Sequence, residues 1–244
     1  MEEKTGKPEK QTQKAGKIIR IFGIVAIIGV IFAAMIISFN QKVPNSDKVW
    51  DKDTVVGNMD AKNYFIIYSD IACPYCVAFE NAILENKEDF NRYITDNDVL
   101  VEIRLSDFLY EYGQTNPISS RHSAEAIYCA KREGKFWDYY DLAIGTVWNN
   151  YFKDMGKSAF SEMNALGKDY WIKLGKGLGL GDSFEKCVKD DEPLKEIMEV
   201  AAKTSKAIDG MPYFKFNSYI SSGFDMSWGW DYVKMYFDSG LKSK

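Results

Sequence analysis

The fold of this chain is decided by the stretch YFIIYSDIACPYC, residues 64–76. Its first five residues, Tyr64–Tyr68, form a short and nearly continuous apolar run. Such a run is typical of a central strand that is buried on both faces of a sheet. Two polar residues end the run, and the pair Cys73 and Cys76 follows at once. The cysteine pair is therefore predicted to lie just after a buried strand.

The residues after the cysteines complete a strand–helix–helix–strand unit. Apolar residues within 77–84 favour a helix that packs on the sheet. Val99–Leu105 then alternates apolar residues with Glu102 and Arg104, which predicts a second strand with one face in water. The cysteine pair is expected at the first turn of this unit.

The middle of the chain differs in pattern from both ends. Residues 120–207 carry helical periodicity and no strand signal, and after Gly210-Met211-Pro212 the apolar period returns to two. An α/β fold with a helical domain inserted between two halves of one sheet is therefore expected. The predicted segments are a disordered tail (1–17), a transmembrane anchor (18–40), a linker (41–57), a first half (58–110), the insertion (111–207) and a second half (208–244).

The N-terminus has the pattern of a membrane anchor. Ile21–Phe39 carries no charged residue, and a helix of that length spans about 28 Å, close to the hydrocarbon core of about 30 Å. Residues 1–20 hold six Lys or Arg and three Glu. The positive-inside rule places this tail in the cytoplasm and residues 41–244 outside the cell membrane. A cleaved signal peptide and a buried core helix are the alternatives.

Charge and cysteine content narrow the class of protein. The net charge is −4 and the basic tail contributes +3, so the remainder carries −7. A nucleic-acid-binding domain would hold its positive charge on the folded part, so no nucleic acid partner is expected. An even number of cysteines outside a metal pattern hints at an oxidising compartment.

The motif Cys73-Pro74-Tyr75-Cys76 predicts thiol–disulfide chemistry. The backbone N–H groups and the positive dipole end of a helix stabilise a thiolate at its first turn, and the thiolate is the reactive form of cysteine. Cys73 is expected to attack, and the less exposed Cys76 to resolve the mixed disulfide. The alternatives are an inert structural disulfide and half of a zinc site, which needs a second close pair of ligands.

Three segments resemble DsbA-type proteins of the thioredoxin fold. The segment around Cys73 and Cys76 is similar to the active-site segment of that family. Residues 129–137, CAKREGKFW, resemble the family's passage from an insertion helix into Gly-Lys-Phe-Trp, and residues 210–214, GMPYF, resemble the segment that holds its cis-proline. The resemblance covers roughly residues 54–240. It implies a thioredoxin-like fold, with Met211–Pro212 in cis and facing Cys73, where the Met211 backbone pairs with an extended substrate strand. An ordinary trans proline is the alternative.

The chain departs from the family's pattern at two positions. Strongly oxidising members have His where this chain has Tyr75, so a weaker oxidant is expected. Many thioredoxin-like proteins carry an acid where this chain has Ile67, so proton transfer to Cys76 is left to water or to Asp70. An exposed turn position is the preferred interpretation for Asp70.

The remaining cysteines are Cys129 and Cys187, and the single histidine is His122. Cys129 and Cys187 fall on the inward faces of predicted insertion helices, and similar cysteines occur in some DsbA-like proteins. A structural disulfide between them is the preferred interpretation, and two buried free thiols are the alternative. His122 is expected at the surface, and no metal or cofactor is expected.

The resemblance implies an enzyme that introduces disulfides into exported proteins with free thiols. A membrane redox partner of the quinone-reductase type would then reoxidise the pair. An isomerase or reductase kept reduced by a membrane electron donor is the first alternative. A nonenzymatic binding module and a membrane-tethered metal chaperone are more remote.

Overall fold

The computed structural model describes residue 49 and residues 51–113, 115–154, 157–204 and 210–243. The predicted tail, the transmembrane anchor and most of the linker fall before residue 49 and lie outside these residues. No helix within the described ranges combines the length and the apolar character that crossing a membrane requires.

A mixed sheet of five strands forms the centre, in the order β1-β3-β2-β4-β5. The strands are β1 (Val55–Gly57), β2 (Asn63–Ser69), β3 (Val99–Leu105), β4 (Tyr213–Phe216) and β5 (Tyr219–Ser222). β2 runs parallel to β3, while the β1–β3, β2–β4 and β4–β5 pairs are antiparallel. The prediction of a central, buried β2 is confirmed, because it has a neighbour on each side and Phe65–Ser69 are all buried.

Helices surround the sheet and fill the insertion between β3 and β4. They are α1 (Pro74–Glu85), α2 (Lys87–Asp96), α3 (Phe108–Tyr112), α4 (Ile118–Arg132), α5 (Phe136–Val147), α6 (Lys157–Asn164), α7 (Lys168–Lys176), α8 (Asp182–Lys189), α9 (Leu194–Thr204) and α10 (Trp230–Lys242). A π-helical turn, Trp148–Phe152, follows α5. This is the α/β thioredoxin fold with an inserted helical domain that was expected from the sequence.

The predicted linker extends too far. Lys52–Thr54 forms a 3-10 helix, and β1 pairs with β3 at the edge of the sheet. The folded domain therefore begins before residue 57. A three-residue edge strand is too short to show an alternation of apolar and polar residues, so no pattern marked it.

Aromatic side chains join α1 and α10 to one face of the sheet. Phe79 of α1 lies 4.5 Å from Phe214 between ring centroids, and Phe65 lies 4.6 Å from Phe216. Phe237 of α10 packs against both groups. This aromatic layer fixes α1, and with it the cysteine pair, against the two central strands.

The prediction that β3 has one face in water is wrong. All seven residues of β3 are buried, including Glu102 and Arg104, whose side chains are 0% and 2% exposed. The parallel register places them beside Ile66 and Tyr68 of β2, on the same side of the sheet. Helix α9 packs against β3. Alternation along a strand distinguishes its two faces, but it does not show whether a helix covers the second face.

The two buried charges on β3 stabilise one another. The guanidinium of Arg104 donates to Glu102 at 2.7 Å and to the Tyr68 hydroxyl at 2.8 Å. Tyr64 also donates its hydroxyl to Glu102, and the Asp51 amide donates to the same carboxylate at 3.1 Å. Because the carboxylate is buried with these donors around it, loss of the guanidinium would remove an opposite charge from beside a buried negative charge.

Arg104→Met should lower the free energy of unfolding by about 3–5 kcal/mol, the usual effect of removing one partner from a buried ion pair. Arg92→Met is the matched control, because the Arg92–Asp89 pair is exposed and such pairs contribute less than about 1 kcal/mol. Urea denaturation measures both variants. The double variant Glu102→Gln/Arg104→Met should recover part of the loss. Equal small losses for Arg104→Met and Arg92→Met would show that β3 does not depend on the pair.

Candidate active site

Cys73 lies at the start of α1, in the position that caps the helix. Its backbone is extended, with φ −87° and ψ 113°, and Pro74 begins the helix. The Cys73 amide donates to the carbonyl of Asp70 at 2.9 Å, which closes a tight turn after β2. Cys76 follows within the first turn of the helix. The helix start predicted at the cysteine pair is therefore present, and both cysteines are free thiols.

The cis peptide bond between Met211 and Pro212 lies against the first cysteine. The Sγ atom of Cys73 is 3.7 Å from the carbonyl oxygen of Met211. Cys73 and Met211 belong to a small buried cluster on the side of the sheet that also carries Glu102 and Arg104. Phe108 and Leu109 pack against this cluster. The structure thus brings together the cysteine motif and the proline segment, which are separated by more than 130 residues in the sequence.

The two cysteines differ in their surroundings. Cys73 is 4% exposed and Cys76 is 0% exposed. Burial raises the pKa of the Cys76 thiol well above its ordinary value, and the neighbouring Cys73 sulfur and Glu80 carboxyl raise it further. Cys76 is therefore held as a neutral thiol at neutral pH. Tyr75, between them in the motif, is 48% exposed and presents its ring to solvent.

Asp70 is buried, contrary to the expectation of an exposed turn residue. Its carboxylate accepts hydrogen bonds from the amides of Ala72 at 2.9 Å and Leu109 at 2.8 Å, and from the Ser120 hydroxyl at 2.6 Å. Burial raises the pKa of Asp70 to about 6. Because these donors belong to the cysteine turn, α3 and α4, Asp70 ties the active-site loop to the helical insertion.

Glu80 is a second buried acid, and sequence reasoning did not single it out. It lies on α1, four residues after Cys76, so the two side chains share one face of the helix. Burial raises the pKa of Glu80 to about 7. The hydroxyls of Ser69 and Tyr140 lie close to the Glu80 carboxyl and oppose this rise of its pKa in part. The sequence could have indicated this burial, because Glu80 is a charged residue among the apolar residues 77–84. A helix that packs on a sheet buries its apolar face.

The other two cysteines are joined in a disulfide that links α4 to α8. This is the pairing preferred from the sequence, and it removes the second ligand pair that a zinc site at Cys73 and Cys76 would need. The bridge closes a separation of 58 residues, which contributes roughly 4 kcal/mol in the chain-entropy model. His122, expected at the surface, is half-buried, and burial lowers its pKa.

The chain belongs to a family described as thioredoxin, whose model matches residues 50–222, more than half of the sequence. With the free thiols of Cys73 and Cys76 at the start of α1, this member of the family has the residues that thiol–disulfide exchange requires.

Solved structures share the fold at low sequence identity. A thioredoxin-like oxidoreductase from Silicibacter pomeroyi DSS-3 is 18% identical, with 80% of this chain and 95% of that chain covered and a TM-score of 0.56. MdbA, a thiol–disulfide oxidoreductase from Corynebacterium diphtheriae, is 16% identical, with 82% and 99% covered and a TM-score of 0.54. Both similarities concern the fold.

One curated relative matches over a short region. The Na(+)/H(+) antiporter NhaA 1 of Salinispora arenicola (strain CNS-205) is 31% identical over 96 residues, which is 38% of this chain and 13% of the antiporter. The chain therefore corresponds to about one eighth of the length of that protein.

Glu80→Gln should stabilise the protein at pH 8 and have little effect at pH 4. The pKa of Glu80 is about 7 in the folded protein, against an ordinary 4.5, so the folded state holds the proton more tightly than the unfolded chain. Stability is then lost as pH rises from about 4.5 through about 7, by on the order of 3 kcal/mol. A glutamine side chain does not ionise, so the variant does not lose stability at this position as the pH rises.

Urea denaturation at the two pH values measures this effect. Glu85→Gln, on the exposed side of the same helix, is the matched control and should change the free energy of unfolding little at either pH. If Glu80→Gln were destabilised equally at both pH values, ionisation of Glu80 would not lower the stability of the folded protein.

Proposed function

We propose that this protein introduces disulfide bonds into exported proteins by exchange at Cys73 and Cys76. The contact between the Cys73 sulfur and the Met211 carbonyl, at 3.7 Å, carries the proposal. It places the Cys73 sulfur beside the non-helical backbone of Met211. An extended substrate segment can form main-chain hydrogen bonds with that backbone. The relative MdbA, which is a thiol–disulfide oxidoreductase, supports the same chemistry.

The reaction starts from the oxidised pair. A substrate thiolate attacks Cys73, a new sulfur–sulfur bond forms, and the Cys73–Cys76 bond breaks with its electron pair passing to Cys76. A second substrate thiolate then attacks the substrate sulfur of the mixed disulfide, and Cys73 leaves as a thiolate. The substrate has been oxidised and the enzyme pair reduced. The more exposed position of Cys73 makes it the sulfur that a substrate reaches first.

The location outside the cell membrane is part of the proposal. It rests on the charge pattern of residues 1–20 and on the apolar segment within 18–40. The Cys129–Cys187 disulfide supports an oxidising compartment. Each turnover leaves the enzyme reduced, so an acceptor of the membrane quinone-reductase type is proposed to reoxidise it.

Cys73→Ser should abolish oxidation of a reduced model peptide, because no sulfur remains at the position that substrates attack. Cys76→Ser cannot form the Cys73–Cys76 bond, so it should also fail to oxidise the reduced peptide. Mixed with the oxidised form of the peptide, it should instead accumulate a mixed disulfide at Cys73, because the Cys73 thiolate opens the peptide disulfide and no Cys76 thiol is present to release the product. Mass spectrometry of alkylated protein distinguishes the two outcomes. Cys129→Ala/Cys187→Ala is the control, and it should retain turnover. Retained turnover in Cys73→Ser would refute the mechanism.

The direction of exchange is tested by the reduction potential of the Cys73–Cys76 pair. Among proteins of this fold, a strong oxidant has a reduction potential of about −120 mV and a reductant one of about −270 mV. Equilibration with glutathione buffers should give a value closer to the first than to the second. Tyr75 brings no positive charge to the thiolate, so a value less oxidising than −120 mV is expected. A value near −270 mV would favour the alternative, a reductase or isomerase kept reduced by a membrane donor.

A further inference from the structure

Helix α3 extends the apolar surroundings of Cys73 to the surface of the domain. Phe108 and Leu109 pack against the buried cluster that contains Cys73 and Met211. The ring of Tyr112 lies 5.5 Å from the ring of Phe108 between centroids, and Tyr112 is 51% exposed. Apolar and aromatic side chains are therefore continuous from the Cys73 sulfur to the exposed end of α3.

Helix α3 is too short to be stable without contacts from other elements. It has five residues, and isolated helices shorter than about 12 residues are marginal in water. Asp107, which precedes its first residue, makes no capping hydrogen bond with its side chain. The amides of the first turn need an acceptor from elsewhere, so the position of α3 depends on its neighbours.

Asp70 supplies such an acceptor from the cysteine turn. Its Oδ1 atom accepts from the Ala72 amide at 2.9 Å, within the turn. Its Oδ2 atom accepts from the Leu109 amide of α3 at 2.8 Å and from the Ser120 hydroxyl of α4 at 2.6 Å. Asp70 is 0% exposed, so bulk water does not compete for these bonds. One oxygen therefore holds the cysteine turn, and the other fixes α3 beside it.

Arg121 of α4 also contacts α3. Its Nε atom donates to Asp107 at 2.8 Å, it forms an ion pair with Glu111, and its guanidinium lies 4.0 Å from the centre of the Tyr110 ring. These contacts join α3 to α4 and do not involve Asp70. Asp70 differs from them because it links α3 directly to the cysteine turn.

We propose that Asp70 is a positioning residue for protein substrates, and that the α3 surface, Phe108 and Tyr112, binds a large apolar side chain next to the substrate cysteine. This inference rests on the proposed exchange with exported proteins. The occupant is a substrate segment, because the α3 surface is continuous with the Met211 backbone on which that segment pairs. A small dithiol that reaches only the sulfur makes no contact with α3 and does not need Asp70.

The charge of Asp70 affects how firmly it holds α3. Burial raises the pKa of Asp70 to about 6, so at pH 8 the carboxylate is ionised and accepts all three hydrogen bonds. A proton on Oδ2 would oppose the Leu109 amide, which is also a donor. The contact with α3 should therefore weaken as the pH falls through about 6. The other titratable groups around Asp70 are Glu80 and Cys76 on α1 and Asp107 after β3, which is paired with Arg121.

Titration calorimetry with the oxidised full-length protein tests this binding. The probe is an uncharged, capped peptide in which phenylalanine flanks a serine that replaces cysteine, so neither exchange nor ionisation of the probe contributes. Asp70→Asn should weaken binding about tenfold at pH 8, the usual effect of losing a hydrogen bond to a charged group. The asparagine keeps an oxygen for the Ala72 amide but turns its NH2 group toward the Leu109 amide. Asp96→Asn, at an exposed position on α2, is the control and should bind as the wild type does.

Three comparisons separate positioning from a general structural effect. The rate at which dithiothreitol reduces the Cys73–Cys76 disulfide should be the same in Asp70→Asn and in the wild type. Tyr112→Ala should weaken peptide binding and leave that rate unchanged. A peptide with alanine in place of phenylalanine should bind the wild type and both variants with the same, lower affinity.

The pH dependence of binding is a separate readout. Binding to the wild type should weaken between pH 8 and pH 5, and binding to Asp70→Asn should not depend on pH. If the change near pH 6 persisted in that variant, Asp107 rather than Asp70 would control α3, and the proposal would be wrong.

Two other results would also contradict the proposal. If dithiothreitol reduced Asp70→Asn more slowly by the same factor as peptide binding is weakened, Asp70 would act on the cysteines and not on α3. If Tyr112→Ala bound the peptide as tightly as the wild type, the α3 surface would not be a binding surface, and this test does not require Asp70→Asn to fold. A wild type that binds the serine peptide and oxidises no reduced peptide would instead overturn the proposed function.

Discussion

The turn from β2 into α1 is the constraint on which the site depends. Within a few residues the chain leaves a strand that is buried from Phe65 to Ser69, closes a turn at Cys73 and starts helix α1, of which Pro74 and Cys76–Ala82 are also buried. This connection is stable because the Asp70 carboxylate satisfies amides of the turn and of α3, together with a hydroxyl of α4. The helical insertion therefore helps to hold the cysteine loop in place as well as covering the sheet.

Among the acids that are buried in the described part of the chain, Asp70, Glu80 and Glu102 are each accommodated differently. Asp70 is stabilised by hydrogen bonds, and Glu102 by the Arg104 guanidinium and the Tyr64 hydroxyl. Glu80 lies beside the Ser69 and Tyr140 hydroxyls, and burial still raises its pKa to about 7. Since an ionised carboxylate is costly in such surroundings, hydrogen bonds offset the cost of burial for Asp70 and Glu102, whereas burial favours the protonated form of Glu80.

Much of this arrangement could be predicted from the sequence, and the misses share one cause. Residues 64–76 predicted the buried strand, the turn and the helix start, because local periodicity and the cysteine spacing are encoded within a few residues. The burial of Asp70, Glu80 and Arg104 could not be read in this way. Each is covered by an element that is distant in sequence, and the same polar residue would be exposed if that element packed elsewhere.

The sequence by itself determined the chemistry: two cysteines separated by two residues at a helix start, and a distant Met211-Pro212 segment of the type that accompanies such a pair. Only the tertiary structure decided which groups surround that chemistry. It placed the Met211 carbonyl 3.7 Å from Cys73, buried Cys76 completely and enclosed Glu80 between the sheet, α1 and α5. Sulfur reactivity follows from residue type and local backbone, whereas proton affinity depends on burial, which packing alone establishes.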